Sequence, residues 1–379
     1  MMIKPKFFII TTISDSLPFF KGQLNVLKKE FSISLVSNPG VHLQEMSLEY
    51  EVSKFPIEME REISPLKDLK SFFKLLVLFL KEKPQLVHAN TPKASLLAIM
   101  AAWFSRVPAR VYYVHGLRYQ SILGRKKTLL MLMERITCWF ATDIIAVSNG
   151  IKETLISDNI TSKDVIIIGN GSVNGIDTSF FNPDKVIKAK DDKLKPDDFV
   201  FGFVGRLVKD KGLEELVLAF QKLSKLSKNI KLLIVGSFEE NMTLTKETIN
   251  SIYKDPGILY VGPQKDVRPY FKAMDVFVLP SYREGFGIVL IEAGAMKIPS
   301  ITTDITGCNE VIIDNQTGFL IKSKDINDLF SKMKYVLDNK NQMTMMKENA
   351  RHSVHNRYSQ DIVWKKAKET YLEILKNHV

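Results

Sequence analysis

The sequence predicts an α/β protein of two doubly wound, mostly parallel sheets, one in each half of the chain, facing each other across a cleft. Three observations carry that prediction. Short β-type runs alternate with helical stretches along the chain. The alternation pauses at a charged, polar linker after Lys185 and then restarts. With 379 residues, the chain is also longer than one hydrophobic core usually supports, so two domains are the default.

In the first half, the β-type runs are expected at Phe7 to Thr12, Ile33 to Ser37, Leu86 to Ala89, Val111 to His115 and Asp143 to Val147. Helical stretches are expected at Lys21 to Glu30, Leu66 to Lys81, Lys93 to Phe104 and Lys126 to Phe140. A stretch rich in Gly and Asn, Ile168 to Asp184, closes this half. The second half repeats the pattern. Its strands are expected at Phe199 to Val204, Ile230 to Val235, Ile258 to Val261, Val276 to Leu279, Ser300 to Thr302 and Gly318 to Leu320, with a helix over Leu213 to Ser224. Trp364, Ala367, Tyr371 and Ile374 at helical spacing predict a last helix over Tyr358 to Leu375. The expected divisions are 1–184, 185–357 and a final 358–379 segment.

Composition narrows the class. Two cysteines, Cys138 and Cys308, argue for a reducing compartment and against a disulfide framework. The apolar run near the N-terminus is short and followed by turn residues, so it reads as a first strand and not as a signal peptide. No apolar segment reaches the roughly 18 residues of a membrane span. The net charge of +11 calls for an anionic partner. Zinc-finger spacing and RNP-like aromatic strands are absent, which disfavours nucleic acid. Anionic lipid is the other candidate. A helix over Leu66 to Lys81 gathers Lys67, Lys70, Lys74 and Lys81 in a narrow arc beside many apolar residues, and Arg125-Lys126-Lys127 leads a similar segment. The alternative for both is a domain helix buried against its sheet.

Two loops carry chemistry. Pro280-Ser281-Tyr282-Arg283-Glu284-Gly285-Phe286-Gly287 links a strand to a helix that starts near Ile288 and includes Glu292. Free amides at a helix start suit a phosphate, and carboxylates suit hydroxyls, together the features of a nucleotide sugar. Glu292 sits in an otherwise apolar helix, where a carboxylate is costly unless it finds hydrogen-bond donors such as a ribose diol. The second loop, Gly205-Arg206-Leu207-Val208-Lys209-Asp210-Lys211-Gly212, offers close backbone approach at Gly205 and two cations, Arg206 and Lys211, able to hold a pyrophosphate without a metal. A solvated basic loop is the bland alternative. The G-x-G-x-x-G and P-loop patterns do not occur, and no D-x-D or Cys/His spacing suggests a metal site. His115 ends a strand, where cleft residues sit, and could donate a hydrogen bond to a phosphate or a sugar hydroxyl.

Taken together, the motifs resemble those of the retaining glycosyltransferases of family 4, the large bacterial capsule and O-antigen family with the two-domain, Rossmann-like GT-B fold. Glu284 and Glu292 meet its glutamate, seven residues, glutamate pattern, Gly205 to Gly212 its G-R-L-x-x-x-K-G element, and Val173 to Asp177 its V-x-N-G-[IV]-D element. The resemblance implies that Arg206 and Lys211 bind the donor diphosphate and that Glu292 binds the ribose. Glu284, with the backbone of Gly285, Phe286, Gly287 and Ile288, would hold the sugar or distal phosphate. His115 would contact the sugar and phosphate, and Gly22 would lie in the first loop near them. It also implies a last helix that crosses back to the first domain. The segments around His88 to Ala94, Tyr113 to Tyr119 and Thr303 to Glu310 are similar to those of transferases that extend undecaprenyl-diphosphate-linked N-acetylated sugars, which marks Asn90 and Arg118 as candidate acceptor contacts.

The expected activity is transfer of an N-acetylated hexosamine from a UDP-sugar to a polyprenyl-diphosphate-linked sugar in lipopolysaccharide or capsule assembly. It would proceed without metal or cofactor, on the cytoplasmic face of the inner membrane. The rivals are a sugar-phosphate or glucan synthase of the same fold with a soluble acceptor, and a non-catalytic basic module that binds nucleic acid or membrane. The last leaves both motif loops unexplained.

Overall fold

A computed structural model describes residues 4–60, 62–239 and 243–379. The chain divides into two compact units. One comprises the residues through Gly175 together with Gln360–Val379, and the other is Ile176–Ser359.

Seven strands of the described residues form the first unit's sheet: β1 (Lys6–Ile10), β2 (Ser32–Ser37), β3 (Ser53–Pro56), β4 (Leu86–Asn90), β5 (Ala109–Val114), β6 (Asp143–Ala146) and β7 (Val165–Ile167). All pairings are parallel, in the order β3-β2-β1-β4-β5-β6-β7. Strand order reverses at β1, so the chain ends leaving β1, β4 and β5 flank a topological switch point, where α/β sheets bind ligands. The central strands are buried on both faces; Phe7, Phe8, Ile9 and Ile10 are all fully buried, as expected of a parallel sheet covered by helices.

The second unit repeats the plan with β8 (Phe199–Val204), β9 (Ile230–Val235), β10 (Ile258–Tyr260), β11 (Val276–Leu279), β12 (Ser300–Thr303) and β13 (Gly318–Ile321). Their order is β10-β9-β8-β11-β12-β13, again all parallel, with the reversal at β8. Its core includes Phe201, Phe203, Leu216, Phe220, Phe277 and Ile291. This is the doubly wound α/β architecture predicted for each half.

Several elements differ from expectation. β3 is an edge strand that closes on Pro56; proline is tolerated at an edge because no further strand needs its missing N–H. The three residues of β7 are too few to show an alternation. The helix expected over Lys21 to Glu30 is a single turn, Gln23–Leu27. Before it lies a 3₁₀ segment, Ser14–Phe20, and Gly22 at φ +77 prevents the two from merging. Tyr358 is not the start of the last helix. It ends the helix Met343–Tyr358, Ser359 is extended, and the last helix is Gln360–His378, packed within the first unit.

The helix Pro65–Glu82 does not bury its apolar residues in the manner of a covered domain helix. Ser71, Leu75 and Phe79 face the core, while Leu66, Leu69, Phe73, Val77 and Leu80 form an exposed stripe. Lys67, Lys70, Lys74 and Lys81 are exposed beside it. Trp103 and Phe104, at the end of the helix Pro92–Phe104, and Leu129, Leu132 and Trp139, on the helix Arg125–Phe140, are exposed as well. Rings join the three helices, with Phe72 at 5.9 Å from Phe104 and Trp103 at 5.1 Å from Phe140. Among the described residues no helix is long and apolar enough to cross a membrane.

Candidate active site

In the second unit, β8 and β11 are neighbours, so the loops that leave their C-terminal ends meet. Tyr282 N donates to Asp210 O at 2.8 Å. Gly212, at φ +69, lies so close to the second loop that a Cβ there would sit 2.0 Å from Pro280 O; no other residue fits. This contact brings Lys211 and Glu284 together as an ion pair of 2.5 Å, with both side chains largely buried (18% and 12% exposed). Ser281 Oγ donates to the same carboxylate oxygen at 2.8 Å. Glu284 is therefore aimed and held before any ligand arrives.

Arg206 leaves Gly205 at the end of β8 and stays exposed, its guanidinium paired with Glu239. Arg206 and Lys211 thus both rest on carboxylates, which are chemical stand-ins for phosphate oxygens. Of the amides proposed at the helix start, two are already engaged: Gly287 N donates to Gly307 O and Ile288 N to Phe286 O, each at 2.9 Å. The first bond ties the turn to the loop after β12, and the second closes the turn on itself. Phe286 is buried, its ring packed on Tyr358 at 5.4 Å, so it anchors the loop from below.

Glu292 lies in the second turn of the helix Ile288–Ala295, between fully buried Ile291 and Ala293. Its carboxylate finds no hydrogen-bond or ion-pair partner among the described residues. Burial pushes its pKa up to about 7. A carboxylate held this way, without a partner, is a ready acceptor for two hydroxyl donors. Among the described residues no group of three His, Cys, Asp or Glu side chains is placed to hold a metal ion.

In the first unit, His115 directly follows β5, and its ring lies between Tyr113 at 4.7 Å and Phe19 at 5.9 Å. His115 Nε2 is 2.8 Å from Asn90 Oδ1. Asn90 is buried, with its amide occupied inside the core, so it reaches the strand ends through His115. Burial holds the His115 pKa down at about 4, which makes the ring neutral at neutral pH. Arg118 lies apart from this pair, where it meets Glu62 at 2.9 Å. Gly22 donates its N–H to the Tyr50 hydroxyl at 2.8 Å, and the Trp364 ring covers its Cα.

Sequence reasoning missed the support beneath these residues. Trp364 Nε1 donates to Asn174 Oδ1 at 2.6 Å, and Asn174 Nδ2 donates to Lys21 O at 2.8 Å, which fixes the loop that holds Gly22. Thr91, between β4 and Pro92, sits at φ +66, and its hydroxyl is 2.7 Å from that of Thr12 after β1. A β-branched residue in that region is strained, as happens where strand ends serve a function. A polar run, His88-Ala89-Asn90-Thr91, at the end of a buried strand was the available signal.

Comparison with known proteins identifies the family. Residues 184–353 match the model described as glycosyl transferases group 1, and residues 34–179 match glycosyltransferase family 4. A glycosyltransferase of capsular polysaccharide biosynthesis from Staphylococcus aureus is 36% identical over 99% of both chains. The UDP-Gal:alpha-D-GlcNAc-diphosphoundecaprenol alpha-1,3-galactosyltransferase of Escherichia coli is 28% identical over 92% of this chain and 91% of its own. In structure, a glycosyltransferase from Rickettsia africae superposes with a TM-score of 0.78 at 22% identity, over 99% of this chain and 100% of that one.

Proposed function

This chain belongs to the group 1 and family 4 glycosyltransferases, with the GT-B fold, and we propose that it moves a sugar from a UDP-sugar to a polyprenyl-diphosphate-linked sugar with retention of configuration. The observation that carries this reading is the meeting of the two loops after β8 and β11. There a largely buried Lys211–Glu284 pair meets an exposed Arg206, and the helix that follows carries a half-buried Glu292 in its second turn. An N-acetylated hexosamine is the proposed sugar, and surface polysaccharide assembly the proposed setting. The undecaprenol-linked substrate in the name of the Escherichia coli relative supports the acceptor class.

Negative charge builds on the diphosphate as the sugar's C1–O bond lengthens. Arg206 would leave Glu239 to meet it, and Lys211 would share its protons between the phosphate and Glu284. Such contacts count because they strengthen as the leaving group forms. Two cations do this work without a metal ion. Glu292 would accept both ribose hydroxyls, which exchanges a costly bare carboxylate for a hydrogen-bonded one. Glu284, fixed by Ser281 and Lys211, would hold the sugar or the distal phosphate. With configuration retained, the acceptor hydroxyl would attack C1 from the side the diphosphate leaves, its proton passing to the departing diphosphate oxygen.

The exposed apolar stripe and lysines of Pro65–Glu82 support attachment to an anionic membrane surface on the cytoplasmic side, where a lipid-linked acceptor resides. The deciding experiment incubates the protein with a panel of UDP-sugars and short polyprenyl-diphosphate sugars and detects products by mass. A product heavier by one sugar, formed with retained anomeric configuration, is expected. Sugar transfer only to a soluble acceptor would replace this reading with that of a sugar-phosphate or glucan synthase.

A further inference from the structure

His88 is an expensive residue where it stands. It is fully buried on β4, and the rings of Phe7, Phe20, Tyr113 and Tyr371 meet it edge-on at 5.2 to 5.9 Å. Burial, with a smaller push from His115, drives its pKa down to about 3, so it is neutral. An aliphatic side chain would fill the space without stripping water from two ring nitrogens. Both nitrogens are in use. Nδ1 is 3.0 Å from Asn90 Nδ2, and Nε2 is 3.0 Å from the Tyr371 hydroxyl. Through the other end of its amide, Asn90 reaches His115 Nε2.

The direction of every bond in this chain follows from two backbone carbonyls. Asn90 Nδ2 faces Ile10 O at 3.3 Å and His88 O at 3.4 Å. Carbonyl oxygens only accept, so the NH₂ end of the amide must lie on that side. It then also donates to His88 Nδ1, which must be bare. The proton of neutral His88 is therefore on Nε2 and is donated to Tyr371. Asn90 Oδ1 can only accept, so His115 must donate from Nε2. That leaves the lone pair of neutral His115 on Nδ1, for which no partner is recorded among the described residues. Stacking between Phe19 and Tyr113 keeps the ring from turning over.

We propose that Asn90, oriented by Ile10 O and His88 O and backed by His88 and Tyr371, is a positioning residue that locks His115 in the tautomer protonated at Nε2, so that it meets the substrate through Nδ1 as a hydrogen-bond acceptor. A ring presented this way selects a hydroxyl and turns away a phosphate oxygen, the reverse of the donor role expected from sequence. The lock stands on the first unit's geometry alone; that the selected hydroxyl belongs to a sugar rests on the glycosyltransferase reading.

The test is long-range proton–nitrogen NMR of the full chain labelled with ¹⁵N-histidine at neutral pH, with the His115 signals identified by their loss in His115→Gln. In the wild-type protein, His115 and His88 are both expected to be protonated at Nε2. Asn90→Leu, similar in shape, removes both the amide that keeps His88 Nδ1 bare and the oxygen that holds the His115 proton on Nε2. Mixed tautomers are then expected at His88 and His115, with kcat/KM for sugar transfer lowered roughly tenfold, the size of one misdirected hydrogen bond. Wild-type His115 protonated at Nδ1 overturns the proposal and needs no variant to see it. Unchanged tautomers in folded Asn90→Leu overturn the part assigned to Asn90. A locked wild-type spectrum in a protein that transfers no sugar would retain the lock and sink the transferase reading.

Discussion

Arg206 and Lys211 differ in surroundings more than in charge, and the difference separates their mutants. Each should lower kcat by roughly 10²-fold or more when replaced by alanine, because each is assigned to the charge that develops on the diphosphate. Arg206 is exposed, so Arg206→Ala should leave the thermal midpoint where it was. Lys211→Ala strands the largely buried Glu284 carboxylate and should also cost about 1–3 kcal/mol in denaturant unfolding. Wild-type turnover in either variant removes that residue from the diphosphate contact. Glu292 gives a pH signature. With its pKa at about 7, and with ribose hydroxyls binding the ionised form, affinity for UDP-N-acetylglucosamine should rise roughly tenfold from about pH 6 to about pH 8. The sugar nucleotide is the right probe because its diphosphate does not titrate in that window. Glu292→Gln should bind weakly with a flat profile; a flat wild-type profile rejects the ribose role. The sign for stability is opposite. The folded pKa lies above the ordinary 4.5, so the unliganded protein loses stability as pH rises from about 4.5 to about 7. Glu134, raised to about 7 by burial despite the hydrogen bond it accepts from the Tyr112 hydroxyl, adds to the same slope.

At the level of elements, the Gly22 turn is the joint between the first loop and the last helix. Gly22→Ala would set a Cβ 2.5 Å from the Trp364 ring on a backbone at φ +77. The expected cost is about 1–3 kcal/mol, read as a lower denaturant midpoint. Trp364→Leu in the same chain should recover part of it, so the double-mutant cycle should be non-additive; strict additivity would show that the two do not press on each other. This joint also marks the limit of what sequence can say. The loops after β8 and β11 were legible because strand, glycine, cation and carboxylate fall within a dozen residues of each other. The relay from Tyr371 to His115 was not, because its first bond joins residues 283 positions apart. Nor was the break at Ser359. The helical spacing on either side of it continues, and only an extended backbone there ends one helix and starts the next. Lysines and phenylalanines on Pro65–Glu82 left its setting open between lipid and a covering sheet, and only the structure shows the stripe exposed.

For the molecule as a whole, the net charge of +11 and the apolar face of the first unit point to a bilayer. In flotation assays the protein should rise with anionic vesicles at low salt, less so at high salt, and poorly with neutral ones. Each basic residue near the surface contributes about 1 kcal/mol. Replacing Lys67, Lys70 and Lys74 together by glutamate should therefore strongly reduce flotation while leaving transfer to a short, water-soluble acceptor analogue unchanged. Protein left at the bottom of the gradient with anionic vesicles at low salt would remove the membrane from the reading and leave the transferase in place.

The return of Gln360–His378 to the first unit also has a meaning in time. A ribosome delivers β1 to β7 first, then the whole of Ile176–Ser359, and only afterwards the helix that brings Tyr371 to His88 and Trp364 to Gly22. The second unit holds all of its strands before that helix exists, so its core does not depend on it, whereas the first must wait for its last helix. A chain truncated after residue 359 should accordingly resist protease within Ile176–Ser359 and be cut within the residues that precede it.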